Sequence, residues 1–169
     1  MDTYLKAVAA AAIGGGLVWL LDRRIPAERF RAMKWAVPAG TALLWSGFVA
    51  VLVTIDWEVY FAYIKPPWSR WALPFLVMPF YGLVSLAFWW AASRTRRPAV
   101  TFCALGALWA IPEHLLGIYR MHILDIPLLA GETVLSILTF SIFEYLIVWA
   151  AALGLAAGLF RLWPKRRPA

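Results

Sequence analysis

The chain has 169 residues, of which 63% are hydrophobic and 15% are charged, and its mean hydropathy is +0.74. A soluble domain carries a larger charged fraction, and here the apolar excess lies in long stretches typical of membrane helices. The net charge of +7 does not indicate nucleic-acid binding, because the basic residues lie in short loops between those stretches. The composition therefore predicts a multi-pass membrane protein without a nucleic-acid partner.

Five apolar stretches are long enough to cross a bilayer, which requires about 20 residues of helix. They predict one all-α domain over residues 1–169, a bundle of five transmembrane helices. The expected spans are about Tyr4–Leu21, Trp35–Ile55, Trp71–Ala92, Val100–Tyr119 and Leu129–Phe160.

The basic residues divide unequally between the two sides of these spans. Twelve of the sixteen Lys and Arg lie in the first loop, the third loop and the C-terminal tail, and four lie on the other side. Because basic loops stay in the cytoplasm, the N-terminus is expected outside and the C-terminus inside. In a bacterium this would place the protein in the plasma membrane. The first loop, residues 22–34, is predicted to be a positive-inside anchor whose spacing also suits an anionic membrane surface.

The sequence also contains a faint internal similarity. A basic loop, a span with a Leu-Trp pair, a proline-bearing outer loop and an aromatic span recur at an offset of about 64 residues. This predicts overlapping three-helix repeats over about 20–92 and 90–161. Gly154 and Gly158 form a G-x-x-x-G pair in the last span, and such small-residue faces predict close helix contact or a homo- or hetero-oligomer.

Ionisable residues are concentrated between Trp109 and Glu144, a stretch that holds both histidines and four of the nine acids. Ionisable groups at membrane depth are costly, so they tend to face the bundle interior and to be functional. A carboxylic acid in an apolar cavity can act as a general acid. Glu113, Glu132 and Glu144 are therefore the candidate proton donors.

Aromatic and polar side chains around these acids complete the predicted site. Gly106, Trp109 and Glu113 share a helix face with Gly117 and Arg120, and Pro112 is expected to bend the helix beside Glu113. Aromatic rings can stabilise a carbocation through their π faces. The expected substrate-binding residues are Trp45, Trp109, Phe140, Phe143 and Tyr145. The expected polar support comes from His114, Arg120, His122, Asp125, Asp56 and Glu58.

The segment I-L-D-I-P-L-L-A-G-E-T-V-L-S-I-L-T-F, from Ile123 to Phe140, resembles the integral-membrane lycopene cyclases, which occur as paired or fused three-helix units. The resemblance implies a non-redox cyclase that acts on a carotenoid or another isoprenoid in the membrane, without a cofactor. The family has two adjacent acids here, whereas Glu132 is followed by Thr133. Only Glu132 is therefore carried over as an acid from this resemblance.

Two other interpretations stay open. The histidines and acids at the outer end of the bundle could bind a metal or haem, although they lack H-x-x-H or H-x-x-x-H spacing. Alternatively, the protein could be a non-catalytic subunit or a binding protein for a lipid, quinone or pigment. The K-P-P-W segment at Lys65–Trp68, followed by an aromatic span, resembles the tryptophan-rich sensory proteins, which are five-helix porphyrin binders.

Overall fold

The computed structural model describes residues 3–55, 72–120 and 133–162. Over these residues the chain is helical and forms no strand, which confirms the all-α prediction. The helices are α1 (Thr3–Arg24), α2 (Ala27–Ala32), α3 (Ala36–Ile55), α4 (Leu73–Ala92), α5 (Pro98–His114), a π-helix (Leu115–Arg120) that continues α5, and α6 (Val134–Leu162).

Four of the described helical segments are long and apolar enough to cross a membrane, which indicates a membrane protein. They correspond to the first, third, fourth and fifth predicted spans. The second predicted span forms α3, an apolar helix of 20 residues that is not among these four. The four segments are Tyr4–Arg24, Leu73–Ala92, Pro98–Gly117 and Val134–Leu162.

Helix α6 occupies the centre of the described bundle and packs against α1, α3 and α5. Its residues Trp149, Leu153 and Ala156 are fully buried. By contrast, Phe75 and Leu83 on α4 are 72% and 70% exposed. Helices that are apolar on their outer faces as well as their inner ones are suited to lipid, because exposing such a large apolar surface to water is unfavourable.

Among the described glycines, Gly40 and Gly106 make the closest approaches to other helices. A Cβ atom added at Gly40 on α3 would lie 2.8 Å from the backbone nitrogen of Ala156 on α6. Gly106 on α5 lies directly against the indole ring of Trp149, with no room for a Cβ. In the predicted G-x-x-x-G pair, Gly158 has no described atom within 4 Å of its Cβ position, and the described neighbour of Gly154 is Leu21 on α1, at 3.9 Å. Of this pair, Gly154 lies at an ordinary van der Waals distance from α1, and an oligomer interface at Gly158 stays a prediction.

The first basic loop contains a short helix that the hydropathy pattern did not predict. In α2, Phe30 is fully buried, and Met33 just beyond the helix is fully buried as well. The Phe30 ring meets the Phe102 ring of α5 with centroids 6.0 Å apart, and the indole N–H of Trp89 donates to the Phe30 carbonyl at 3.0 Å. Helix α2 therefore closes the end of the bundle where α5 begins and α4 ends.

Candidate functional site

The carboxyl group of Glu113 lies between three helices in the bundle interior. The hydroxyl of Tyr81 on α4 and that of Tyr145 on α6 both donate hydrogen bonds to Oε1 of Glu113, the second at 2.9 Å. Both tyrosines are buried. An acid of α5 thus holds together α4, α5 and α6 through one oxygen atom.

The local sequence places Glu113 at a change of helix type. Pro112 lies inside α5, where it has no N–H to donate, and the helix continues through it to His114. A π-helix follows directly. Such wider turns are rare and occur frequently at functional sites.

A layer of aromatic rings encloses the tyrosines. The indole of Trp45 on α3 stacks on the Tyr81 ring with centroids 4.0 Å apart and planes 5° apart. The same indole lies 5.2 Å from the Tyr145 ring and 6.4 Å from that of Trp149. Tyr81 and Tyr145 are therefore held in place by rings on their faces as well as by the shared carboxyl group.

The second carboxyl oxygen of Glu113 differs from the first. Oε2 is buried and has no hydrogen-bond partner among the described residues. The indole nitrogen of Trp109, one turn earlier on α5, is likewise buried without a partner there. Trp109 lies close enough to interact with the carboxyl group, but the two groups do not have hydrogen-bond geometry. Phe80 and Phe88 pack against Trp109 at 6.2 and 6.0 Å.

His114 borders the same cluster. Its side chain is 5% exposed, and its Nδ1 donates to the carbonyl of Ala110 at 2.9 Å. The imidazole ring meets the Tyr145 ring edge-on at 5.4 Å. His114 is thus fixed by its own helix and supports the Tyr145 ring by packing.

No protein-family model, curated protein or solved structure matches this chain. The resemblance to the lycopene cyclases therefore stays a prediction from the Ile123–Phe140 segment.

The structure brings together five of the predicted side chains: Glu113, Trp45, Trp109, Tyr145 and, at the border of the cluster, His114. Phe140 and Phe143 on α6 are only partly buried, and no described ring contact joins them to this group. The tyrosine and tryptophan cluster therefore includes the predicted residues of α3 and α5 but only Tyr145 from α6.

The other predicted acids do not join Glu113 in the described part of the chain. Glu144 is partly buried beside Tyr145 on α6, and no described hydrogen bond links it to Glu113. Arg120 is exposed at the end of the π-helix, and no ion pair with Glu113 is present among the described residues. Because a π-helix rotates less per residue than an α-helix, Arg120 no longer follows the helix face of Glu113. Glu132, His122, Asp125, Asp56 and Glu58 lie outside the described residues.

Tyr81 and Trp149 are members of this cluster that the sequence did not single out. A tyrosine near the middle of an apolar span is itself a signal, because its hydroxyl needs a partner away from water. Trp149 carried no comparable signal in a chain with eleven tryptophans. Within residues 3–55, 72–120 and 133–162, no group of three His, Cys, Asp or Glu could hold a metal ion.

Replacing Tyr145 with phenylalanine is expected to lower the free energy of unfolding by about 1 kcal/mol, because one hydrogen bond to Glu113 is lost and the ring contacts remain. Tyr81→Phe provides the matched comparison on α4. Unfolding in mixed detergent–SDS micelles measures both single variants and the double variant. The double variant should lose more than the sum of the singles, since it leaves Oε1 buried without a donor. A strictly additive result would show that the two hydroxyls do not act through the same oxygen.

Proposed function

We propose that the protein is an integral-membrane enzyme in which Glu113 protonates an apolar, isoprenoid-type substrate, as in a carotenoid or other terpenoid cyclase. The observation that supports this proposal is the asymmetry of the Glu113 carboxyl group. Two tyrosine hydroxyls orient Oε1, while Oε2 is buried and has no hydrogen-bond partner in the described part of the chain. An acid held at one oxygen can transfer a proton at the other.

The chemistry needs only this chain's residues. A proton from Oε2 of Glu113 would add to a carbon–carbon double bond of the substrate and form a carbocation. Attack by a second double bond would close a ring, and loss of a proton from carbon to the same carboxylate would restore the acid. The net reaction is an isomerisation that requires no oxidant. The face of Trp109, and the face of Trp45 that is not stacked on Tyr81, would stabilise the cation.

Entry of a substrate must involve local opening. Oε2 is enclosed in the described conformation. The π-helix Leu115–Arg120 begins two residues after Glu113, and Leu115 and Leu116 are exposed to the surroundings of the bundle. We propose that the substrate enters from the lipid beside this segment.

We further propose five membrane spans, with α3 as the second, an external N-terminus and a cytoplasmic C-terminus. The described basic residues support this orientation. Those at the end of α1, in α2, between α4 and α5 and at the end of α6 all lie at one end of the bundle, as basic cytoplasmic loops would. The predicted three-helix repeats are retained as part of this proposal.

Expression in a lycopene-accumulating host tests the proposed reaction. Chromatography of extracted pigments should show conversion of lycopene to a cyclised isomer of the same mass. Cells that carry the empty vector provide the control. Unchanged lycopene, in the presence of protein shown to be in the membrane, would exclude this substrate and leave other isoprenoids to be assayed in the same way.

A non-catalytic function is the second candidate, and the tight ring packing favours it. The Trp45–Tyr81 stack and the two tyrosine bonds to Glu113 could serve only to lock helices in a subunit that binds a lipid, quinone, pigment, haem or metal. Such a protein would co-purify with its ligand from the membrane and would convert no isoprenoid.

A further inference from the structure

One end of the described bundle is strongly basic. Eight exposed basic side chains gather there, together with the partly buried Arg29. They come from the end of α1, from α2 and the residues after it, from the turn between α4 and α5, and from the end of α6. The eight are Arg23, Arg24, Arg31, Lys34, Arg94, Arg96, Arg97 and Arg161.

Few acids offset these charges. The described acids at this end are Asp22, which is partly buried, and Glu28, which is exposed. The guanidinium groups of Arg24, Arg96 and Arg97 form no hydrogen bond or ion pair with any described residue, and all three side chains are exposed. Their guanidinium groups are therefore available to an anion from outside the chain.

Neighbouring arginines hold this end of the bundle together. Arg31 Nε donates to the carbonyl of Ser93 at 3.0 Å, and Arg29 Nη2 donates to the carbonyl of Ala157 at 3.3 Å. These bonds tie α2 to the end of α4 and to α6. Because α2 starts three residues after Arg24, and Ser93 is close in sequence to Arg96 and Arg97, the three available arginines lie at the same end of the bundle.

Tryptophans mark the depth of this surface. The guanidinium of Arg23 lies 4.1 Å from the centroid of the Trp19 ring, and that of Arg94 lies 3.5 Å from the Trp90 ring. Trp19 and Trp90 are exposed, each one turn further into the apolar part of its helix. Tryptophan prefers the headgroup level of a bilayer, so the arginines beyond these rings lie at the level of lipid phosphates.

We propose that Arg24, Arg96 and Arg97 form a binding site for anionic phospholipid headgroups. Charge complementarity selects this partner, since the guanidinium groups are exposed next to interfacial tryptophans and lack acids of their own. Guanidinium groups bind phosphate oxygens in a bidentate manner, which a zwitterionic lipid with its own ammonium group satisfies less well. The site is separate from Glu113 and does not depend on the proposed reaction.

The test uses purified full-length protein in neutral detergent, with phosphatidylglycerol or phosphatidylcholine added at equal concentration. Native mass spectrometry counts bound lipid, and the melting temperature gives a second measurement. Phosphatidylglycerol should bind at least about tenfold more tightly than phosphatidylcholine and should raise the melting temperature, in a manner that added salt weakens. Equal binding of the two lipids would overturn the proposal.

Three variants locate the site. The triple substitution Arg24→Gln, Arg96→Gln, Arg97→Gln should remove the preference, while the corresponding triple Lys variant, which keeps the charge but not the bidentate geometry, should retain only part of it. Arg120→Gln is the matched control, because Arg120 is exposed about 30 Å further along the α5 and π-helix axis. A preference that survives the triple Gln substitution, or that is lost in Arg120→Gln, would overturn the assignment. If the triple Gln protein does not fold, the lipid preference and salt dependence of wild-type protein and of each single Gln variant decide the question.

Discussion

Replacing Glu113 with glutamine is expected to lower the rate of product formation by about 10²–10⁴-fold, the usual contribution of a positioned general acid. Glutamine is nearly isosteric, and its amide oxygen can still accept hydrogen bonds from Tyr81 and Tyr145, so the helix contacts should persist. It has no acidic proton to transfer. The measurement is the initial rate of lycopene cyclisation in isolated membranes that contain equal amounts of wild-type and variant protein.

Glu28→Gln is the control for this experiment, because Glu28 is exposed on α2 at the basic end of the bundle. It should keep the wild-type rate. The other two candidate acids are tested by Glu132→Gln and Glu144→Gln. Full activity in Glu113→Gln, combined with loss of activity in either of these, would assign the proton to another acid. Full activity in all three would exclude the proposed proton donors.

Replacing Gly40 with alanine is expected to destabilise the protein by about 1–3 kcal/mol, the usual cost of forcing an extra carbon into a packed contact. The added Cβ would lie 2.8 Å from the nitrogen and 2.9 Å from the Cα of Ala156. These are backbone atoms of α6, so they cannot move away as a flexible side chain could. Helices α3 and α6 must separate, and the Trp45 contacts with Tyr145 and Trp149 would weaken with them.

Gly47→Ala on the same helix is the matched control, because no described atom lies within 4 Å of a Cβ at that position. Alanine has the higher helix propensity, so this variant should be neutral or more stable by up to about 1 kcal/mol. Thermal unfolding in detergent measures both variants. Equal melting temperatures for the two alanine variants would show that the α3–α6 contact at Gly40 does not limit stability.

Much of the helical architecture could be predicted from hydropathy. A membrane helix satisfies its backbone hydrogen bonds within its own segment, so each apolar stretch predicts a helix without reference to the others. Hydropathy did not predict helix α2, because this helix depends on contacts with other helices. Its six residues carry three charges, and Phe30 is buried only because α4 ends and α5 begins beside it. Whether a short charged segment such as α2 forms a packed helix depends on the helices beside it.

Of the candidate site, the position of the acid Glu113 could be predicted from the sequence, but its hydrogen-bond contacts could not. Glu113 could be identified because an acid within an apolar stretch is costly and therefore conspicuous. The helix face predicted to continue from Glu113 to Arg120 does not form, because the π-helix changes the rotation per residue and leaves Arg120 exposed. Periodicity could not show this change, because the Leu115–Arg120 sequence does not by itself distinguish an α-helix from a π-helix.

The sequence alone determined that the chain is helical, that it is suited to a membrane, and that Glu113 lies among apolar residues, because each of these follows from local composition. Only the tertiary structure decided what Glu113 contacts. Tyr81 and Tyr145 each lie 32 residues from it, on two other helices. Their convergence depends on the relative rotation and depth of α4, α5 and α6. That arrangement results from packing, such as the contact of Gly106 with Trp149, which no single segment encodes.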